Sequence, residues 1–254
     1  MNIVVTAKYV PDPDLPGELD GFRLRREGVP GLLDPIDQCG VELAVQLKEA
    51  LSGRVILVSM GPAVAEAALR LGLAMGADEA VLVTDPALTG FDALVTARVL
   101  ARAIGRFPFD LVICGAQSSD GSTGTLGAML AGLLDLPGIG PAKRVEVGGR
   151  LVRVRRQMAA GYEVAECSLP ALVAVTSDIN VPRFPSFKAR VAARSKPLTR
   201  LTAADLGLGP DALRVRQAVV AITPAEERSP GEIVVDDGTA VARIIRLLEE
   251  LGVI

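Results

Sequence analysis

The sequence predicts an α/β fold built on a doubly wound, mainly parallel sheet with helices on both faces. In residues 2–137, short apolar runs of strand length alternate four times with segments of helical periodicity. The runs are dense in Val, Ile and Leu, as in "NIVVTA" at residues 2–7, which is typical of strands buried on both faces. Alternation of this kind favours parallel strands joined by right-handed helical crossovers.

Each predicted element has a physical start or stop signal. Asp34 is a suitable N-cap for the first helix, and Pro35 suits its first turn. The second helix begins at Pro62, and Gly72 and Gly76 indicate that it packs closely on the sheet. The predicted strands are 2–7, 54–61, 79–85 and 109–114, and the predicted helices are 34–51, 62–77, 92–107 and one that follows the loop at residue 115.

The pattern changes after Pro137. Residues 144–178 contain strands separated by glycine turns, which predicts an antiparallel β-meander. The last run of this meander, 171–178, is apolar enough to rejoin the main sheet. Residues 179–198 are rich in proline and basic side chains, and we expect this segment to leave the globule as a solvated linker or an exposed loop.

The end of the chain is predicted to form an extended C-terminal arm. It contains a strand at 213–222 and a terminal helix at 236–254, for which Asp236 or Asp237 is a suitable cap. We therefore divide the chain into an α/β domain, residues 1–198, and a C-terminal arm, residues 199–254.

Composition excludes several classes of function. The net charge of −3 and the aromatic content of 3% argue against nucleic-acid binding. The chain has no His, which removes His-based acid–base catalysis, Ser-His-Asp triads and His-containing metal sites and makes a hydrolase the weakest interpretation. There is neither a signal peptide nor an apolar stretch of about 18 residues, so we expect a cytoplasmic protein without a membrane span.

The most informative loop is "GAQSSDGSTGTLGAML", which begins at Gly115. In a doubly wound sheet, ligands bind beyond the carboxyl ends of the strands, where this loop and the loops 6–13, 59–62 and 84–89 are expected to meet. Its glycines permit close approach of a ligand, its hydroxyls are donors, and the next helix presents free N–H groups. Because the loop has no Lys, neutral donors holding one or two phosphates are favoured over ATP with Mg²⁺. A plain helix-capping loop remains the alternative, and Asp120 can cap a turn or orient a ribose hydroxyl.

Several blocks occur together in a specific order. They are "VVTAKYVPDPD", "LDPIDQCGVELAVQLKEA", "VSMGP" with "LGLAMGADEAVLV", "DLVICGAQSSDGSTGTLGAMLAGLLDLP" and "LPALVAVTSDINVPRFPSFKARVAARSKPL", followed by the C-terminal helix. Across essentially the whole chain, this set resembles the β subunit of electron-transfer flavoproteins. "LAMGAD" and the Asn180–Ser186 block are the most specific.

The resemblance implies an electron carrier subunit, not an enzyme. Members are heterodimers in which a redox-active FAD is held mainly by the α subunit. The β subunit has a Rossmann-like fold similar to the adenine-nucleotide α-hydrolases, and it usually buries one AMP. Electrons arrive from acyl-CoA or other dehydrogenases and leave to a membrane-bound quinone oxidoreductase or another acceptor.

The resemblance also implies the nucleotide contacts. Thr6 and Ala7 would face the adenine through backbone groups, and Met60 would approach the nucleotide. Asp34 stands where the family usually has Asn. The loop from Gly115 would hold phosphate and ribose. Its expected contacts are Gly115, Asp120, Ser122, Thr123, Gly124 and Thr125, the last at a position where the family often has Gln.

Residues 179–198 resemble the recognition loop by which the β subunit anchors dehydrogenases. A single apolar side chain enters a pocket on the partner; the family commonly has Leu there, and this chain has Phe187. Lys188 and Arg190 would steer acidic partners. The arm 199–254 would pack on the partner subunit.

Three departures from the family concern the flavin. Pro13 and Ile36 stand where relatives can place aromatics near the α-subunit flavin, and Gln157 replaces a Glu that helps to orient the flavin-bearing domain. Two alternatives stay open. The chain is a β subunit of the electron-bifurcating branch, with FAD in place of AMP, or it is a stand-alone nucleotide-binding sensor on the same fold.

Overall fold

The computed structural model describes residues 1–223, 231 and 233–254. By its internal contacts, the chain divides into two compact units, Met1–Val219 and Val220–Ile254. The elements in chain order are β1 (Asn2–Thr6), β2 (Tyr9–Pro11), β3 (Leu19–Asp20), β4 (Arg23–Leu24), β5 (Gly31–Leu33), α1 (Pro35–Leu51), β6 (Arg54–Met60), α2 (Glu66–Met75), β7 (Glu79–Val83), α3 (Ala93–Ile104), β8 (Leu111–Gly115), α4 (Leu126–Leu133), β9 (Gly138–Gly148), β10 (Leu151–Met158), β11 (Gly161–Ser168), β12 (Ala171–Val175), α5 (Phe187–Ala193), β13 (Leu198–Leu201) and α6 (Ala240–Glu250).

The first unit is organised around a nine-stranded sheet in the order β11-β10-β9-β12-β8-β1-β6-β7-β13. The strands from β9 through β12, β8, β1, β6 and β7 to β13 pair in parallel. Only the pairs that β10 makes with β9 and β11 are antiparallel in this sheet. The predicted parallel sheet and the antiparallel meander are therefore both confirmed, and they form one continuous sheet.

Helices cover both faces of this sheet. α1 and α2 contribute Val41 and Leu69 to one apolar core, whereas α3 and α4 contribute Val99 and Leu130 to the other. The central strands are buried on both sides, which explains their continuous runs of Val, Ile and Leu. The doubly wound α/β fold predicted from the sequence is confirmed.

The order in which strands are added to the sheet reverses at β1, between β1 and β8. From β1 it proceeds through β6 to β7 on one side, and it then returns to place β8 on the other side of β1. The loops after β1 and β8 consequently diverge and leave a crevice at their carboxyl ends. The segment between β1 and α1 adds two short antiparallel pairs, β2 with β5 and β3 with β4, beside this crevice.

The structure corrects several boundaries in the second half. The meander starts at Gly138 rather than at residue 144, and β12 rejoins the main sheet beside β8 as predicted. The strand predicted at 213–222 is wrong: those residues form none. Instead β13, Leu198–Leu201, pairs with β7, so the backbone groups of that sheet edge are already bonded before residue 213 is reached.

The second unit contains α6, which starts at Ala240 and is shorter than the predicted helix. Thr239 is its N-cap residue. The Asp237 carboxylate accepts hydrogen bonds from the Thr239 backbone N–H (3.0 Å) and hydroxyl (2.6 Å), so it organises the preceding turn instead of capping the helix. The predicted division at residue 198 and the packing of the arm on a partner stay predictions. No helix in the described ranges combines the length and the apolar character needed to cross a bilayer.

Candidate functional site

A cavity of about 230 Å³ lies at the carboxyl ends of β1, β6 and β8. It is the crevice expected where the order of strands reverses. Six of the ten cofactor contacts expected from the sequence line it: Thr6, Ala7, Met60, Gly115, Thr123 and Gly124. The remaining four, Asp34, Asp120, Ser122 and Thr125, do not line it.

The lining of the cavity divides into an apolar and a polar part. The apolar part consists of Phe91 from the loop before α3 and Leu100 from within α3, together with Val58 and Leu126. The polar part contains Lys8, Arg26, Ser118 and Gly121, and the Lys8 ammonium lies 3.1 Å from the Ser118 hydroxyl. One apolar region and one cationic region suit a ligand with an aromatic ring and an anionic group.

Ser59 marks the wall of this cavity. Its side chain is buried, and its hydroxyl has no hydrogen-bond partner among the described residues. A buried hydroxyl without a partner costs free energy, so it is typical of a position where a ligand completes the site. Sequence reasoning selected the neighbouring Met60 and missed Ser59, although both lie in the "VSMGP" block.

Asp34 shapes the loop after β8 instead of touching the cavity. One carboxylate oxygen accepts the Ile36 backbone N–H at 2.9 Å, which confirms Asp34 as the N-cap of α1. The other oxygen accepts the backbone N–H (2.7 Å) and the hydroxyl (2.9 Å) of Ser119. Asp34 thus ties the start of α1 to the loop that follows β8.

Asp37, in the first turn of α1, joins the loops that follow β1 and β8. Its two oxygens accept the backbone N–H groups of Lys8 (2.7 Å) and Gly115 (3.2 Å). Burial, and then the charge of Asp34, raise the pKa of Asp37 to about 7, although these two hydrogen bonds act in the opposite direction. Sequence reasoning missed this residue; its only signal was a second carboxylate three positions after the N-cap.

Asp120 forms ion pairs with both cations of the polar part. Its side chain is 2% exposed, and it accepts hydrogen bonds from Lys8 Nζ at 2.5 Å and from Arg26 Nε and Nη2 at 2.9 and 2.7 Å. Burial alone would raise the pKa of Asp120, but the charge and hydrogen bond of Lys8 and the hydrogen bond from Arg26 lower it below its ordinary value.

These ion pairs bring two cations to the loop. The sequence has no Lys within the loop, which favours neutral donors as the groups that hold a phosphate. Lys8 and Arg26 reach the loop from positions 112 and 94 residues away in the chain, so its polar part is cationic. The sequence did not indicate these two cations, and which groups would hold a phosphate stays a prediction.

Ser122 and Thr125 are exposed and outside the cavity lining. Ser122 adopts a positive φ of 45°, and its hydroxyl donates to the Ser118 carbonyl at 3.2 Å. Thr125 occupies the N-cap position of α4 without a side-chain capping bond. Gly124, between them, has a φ of 64°, a conformation that glycine adopts at no steric cost.

The recognition segment, residues 179–198, is anchored to the globule, contrary to the expectation that it would leave it. The Arg183 guanidinium bonds to the carboxylates of Glu42 (2.8 Å) and Glu49 (2.7 Å) on α1. Lys196 Nζ donates to the carbonyls of Leu73 and Ala77 at the end of α2. Basic residues that the sequence assigned to a solvated surface are used here to bind helix ends and carboxylates.

The same segment presents an exposed apolar surface. Phe187, the first residue of α5, is 84% exposed, and Phe184 is 86% exposed. The Arg190 guanidinium lies over the Phe184 ring, 4.8 Å from its centroid, and Lys188 is exposed beside them. An exposed aromatic pair rimmed by cations, on a segment fixed at both ends, is typical of an interaction site.

The three flavin-related departures lie in different places. Pro13 is exposed in the segment between β2 and β3, and Gln157 pairs with Tyr162 in the β10–β11 ladder. Ile36, at the start of α1, lines a second cavity together with Arg156 and Gly127.

The comparisons with known proteins point to subunits of electron transfer flavoproteins. The family profile described as "Electron transfer flavoprotein domain" matches residues 22–206. An electron transfer flavoprotein subunit beta from Thermoanaerobacterium thermosaccharolyticum is 41% identical over 240 residues, covering 92% of each chain. A subunit beta from Mycobacterium tuberculosis is 38% identical over 258 residues, covering 97% of each chain. The caffeyl-CoA reductase-Etf complex subunit CarD from Acetobacterium woodii is 38% identical over 215 residues, covering 84% of this chain and 82% of that one.

Proposed function

This chain belongs to the β-subunit family of electron transfer flavoproteins, and from that premise we propose that it binds one AMP in the cavity at the carboxyl ends of β1, β6 and β8. We further propose that it works as a non-catalytic subunit beside an α subunit that holds most of a redox-active FAD. The FAD supplies the electron-carrying chemistry when it is bound. The residues of this chain bind the nucleotide, orient the loops around it and recruit partner proteins.

The observation that carries this proposal is the orphaned Ser59 hydroxyl in the wall of a cavity with one apolar and one cationic part. AMP has matching chemistry, because its flat purine ring has apolar faces and its phosphate is anionic. Phe91 and Leu100 fit the purine, and Lys8 fits the phosphate. The fit depends on side-chain types that the cavity already presents.

The loop after β8 contributes backbone donors to the same site. Thr123 and Gly124 line the cavity directly before α4, whose first N–H groups are not capped by the Thr125 side chain. Free N–H groups at a helix start favour anions, and the helix dipole adds to this preference. In this proposal Asp34 and Asp37 bind no ligand: they fix the loops whose backbones do.

Nucleotide content tests the proposal directly. The tagged chain is purified from its source organism together with the chains bound to it, and released AMP and FAD are counted per complex. One AMP and one FAD per heterodimer is the expected result. A complex that contains no adenine nucleotide beyond a single FAD would refute AMP binding.

Ser59→Ala provides a second, sharper test. The hydroxyl has no partner among the described residues and is costly to bury, so its removal should leave the nucleotide-free chain at least as stable as wild type. AMP affinity should fall by roughly five- to tenfold if the nucleotide completes this site. Ser119→Ala is the matched control, because it loses a hydrogen bond to Asp34 and should destabilise the free chain by about 1 kcal/mol.

The electron-bifurcating alternative has one observation in its favour. The similarity to CarD extends over 84% of this chain, and that protein is described as part of a caffeyl-CoA reductase-Etf complex. Two FAD and no AMP per heterodimer would establish this alternative. A stable monomer that binds ATP tightly would instead establish the stand-alone sensor.

The exposed Phe187 supports docking of electron-donating dehydrogenases as a further part of the proposal. Because Arg183 and Lys196 fix both ends of the recognition segment, little conformational entropy would be lost when Phe187 enters a partner pocket. The acceptor, a quinone oxidoreductase or another protein, belongs to the same proposal.

A further inference from the structure

Asp120 occupies an unusual position for a residue beside a phosphate site. Its carboxylate is buried, and both of its oxygens are already bonded to cations, one to Lys8 and one to Arg26. A carboxylate in this state has little capacity left to bind a ribose hydroxyl. It does, however, determine how much positive charge the polar part of the cavity offers to a ligand.

We propose that Asp120 sets the nucleotide specificity of the cavity by neutralising one of its two cations, so that a nucleoside monophosphate is favoured over di- and triphosphates. The inference rests on the proposed nucleotide site and names the ligand class that this site selects. Lys8, Arg26 and Asp120 together carry a net charge of +1. That charge complements a single phosphate and is too small for a longer phosphate chain.

A short hairpin positions Arg26 beside Asp120. β3 and β4 pair through Leu19 with Leu24 and Asp20 with Arg23, and Arg26 follows two residues after β4. The Arg23 guanidinium donates to the Gly90 carbonyl at 2.7 Å, next to the residues that form the apolar part of the cavity. The hairpin is thereby attached to both sides of the crevice, and the Arg26–Asp120 pair fixes it at the polar side.

The other charged groups of the cavity act in the same direction. Asp37 and Asp92 also line it, and no further cation does among the described residues. Asp92 accepts the backbone N–H groups of Val95 and Arg216, whereas Asp37 accepts those of the loops after β1 and β8. Asp92 adds negative charge and disfavours additional phosphates, and Asp37 does the same only where the pH exceeds its pKa of about 7.

The experiment measures the affinity of the full chain for AMP, ADP and ATP by equilibrium dialysis in the presence of a metal chelator. Asp120→Asn raises the net charge of the polar part by one. The ratio of ADP to AMP affinity should then increase by roughly three- to tenfold, as expected when one unit charge is added to a partly solvated site, and the increase should be larger for ATP. Asp20→Asn, on the same hairpin and exposed, is the matched control and should leave the ratio unchanged.

Arg26→Gln moves the charge in the other direction and keeps the proposal testable if Asp120→Asn does not fold. The ratio of ADP to AMP affinity should fall by a similar factor, and Arg25→Gln is its matched control. Unchanged ratios in both variants would overturn the charge mechanism. Equal weakening of all three nucleotides by Asp120→Asn would do the same, because it indicates direct contact with the shared adenosine. If the wild-type chain binds no AMP, the proposed nucleotide site fails as well, so the two failures are distinguishable.

Discussion

Asp37→Asn should remove a pH dependence of stability that a single buried carboxyl gives this chain. Asp37 is buried at the start of α1, where burial and the charge of Asp34 raise its pKa to about 7 from an ordinary value of 3.8. The chain contains no His, and the pKa of the nearby Cys114 thiol is raised to about 12, first by burial and then by Asp37 itself. No His therefore titrates in the interval from pH 5 to 7, where the pH dependence of Asp37 is expected.

The sign follows from the two pKa values. The native chain keeps the Asp37 proton up to about pH 7, whereas the unfolded chain loses it near pH 4. Between these values the native state binds more protons, so the free energy of unfolding falls as the pH rises. The full difference corresponds to roughly 4 kcal/mol, with a slope of about 1.4 kcal/mol per pH unit inside the interval. Below about pH 4 and above about pH 7 this group contributes no slope.

The Asn variant keeps the shape of the side chain and loses its titration. Its amide nitrogen must face either the Lys8 or the Gly115 backbone N–H, and that unsatisfied contact costs about 1–3 kcal/mol. At pH 8 this cost and the loss of the buried charge offset each other in part. The slope with pH, and not the absolute stability, is consequently the diagnostic quantity.

Urea unfolding of the nucleotide-free chain at pH 5, 6, 7 and 8 measures this slope. Wild type should lose stability steadily from pH 5 to 7, and Asp37→Asn should be nearly flat over the same interval. Asp14→Asn, an exposed carboxyl, is the matched control and should follow wild type. If Asp37→Asn keeps the wild-type slope, Asp37 is not the titrating group and the electrostatic reasoning about the first turn of α1 is wrong.

Three further predictions concern partner docking, the recognition segment and helix packing. Phe187→Ala should reduce electron uptake from a dehydrogenase at least tenfold with unchanged AMP and FAD content, whereas Phe22→Ala, also exposed, should not; loss of cofactor would contradict the docking role. Arg183→Ala leaves the buried Glu42 carboxylate without its cation and should lower the free energy of unfolding in urea by about 2 kcal/mol. This value is reduced because the arginine is partly exposed and its charge is screened by solvent. Gly76→Ala should lower the free energy of unfolding by about 1–3 kcal/mol, because Gly76 has a φ of 135° and a Cβ there would lie 2.8 Å from a methyl carbon of Val45. A neutral effect would mean that the end of α2 can shift.

Much of the first half of the fold could be predicted because its signals are local. Apolar runs identify β1, β6, β7 and β8, and Asp34 with Pro35 identifies the start of α1, since each depends on neighbours in sequence. The strand expected at 213–222 failed for a non-local reason: the edge of β7 pairs with Leu198–Leu201, and propensity cannot show which segment reaches an edge first. The prediction that the recognition segment leaves the globule was wrong for a similar reason, because its basic residues bind carboxylates and carbonyls on α1 and α2 that are far away in sequence.

The candidate site likewise combines features that the sequence indicated with features that only the folded structure shows. The glycine- and hydroxyl-rich loop after Gly115 was recognisable, as was the crevice to which parallel strands direct it. Lys8 and Arg26 were not recognised as site residues, since each lies in a segment whose own pattern says nothing about phosphate. Asp120 was selected as a ligand contact, and its ion pairs with these two cations became visible only when three distant segments were placed together.

By itself, the sequence determined the alternation of strands and helices and the absence of His, which are properties of short-range periodicity and of composition. The family resemblance came from sequence blocks in a specific order. The tertiary structure decided which charges meet: Asp37 between two loop backbones, and Asp120 between Lys8 and Arg26. Electrostatic interactions depend on distance and burial in space, and a one-dimensional pattern contains neither until the chain has folded.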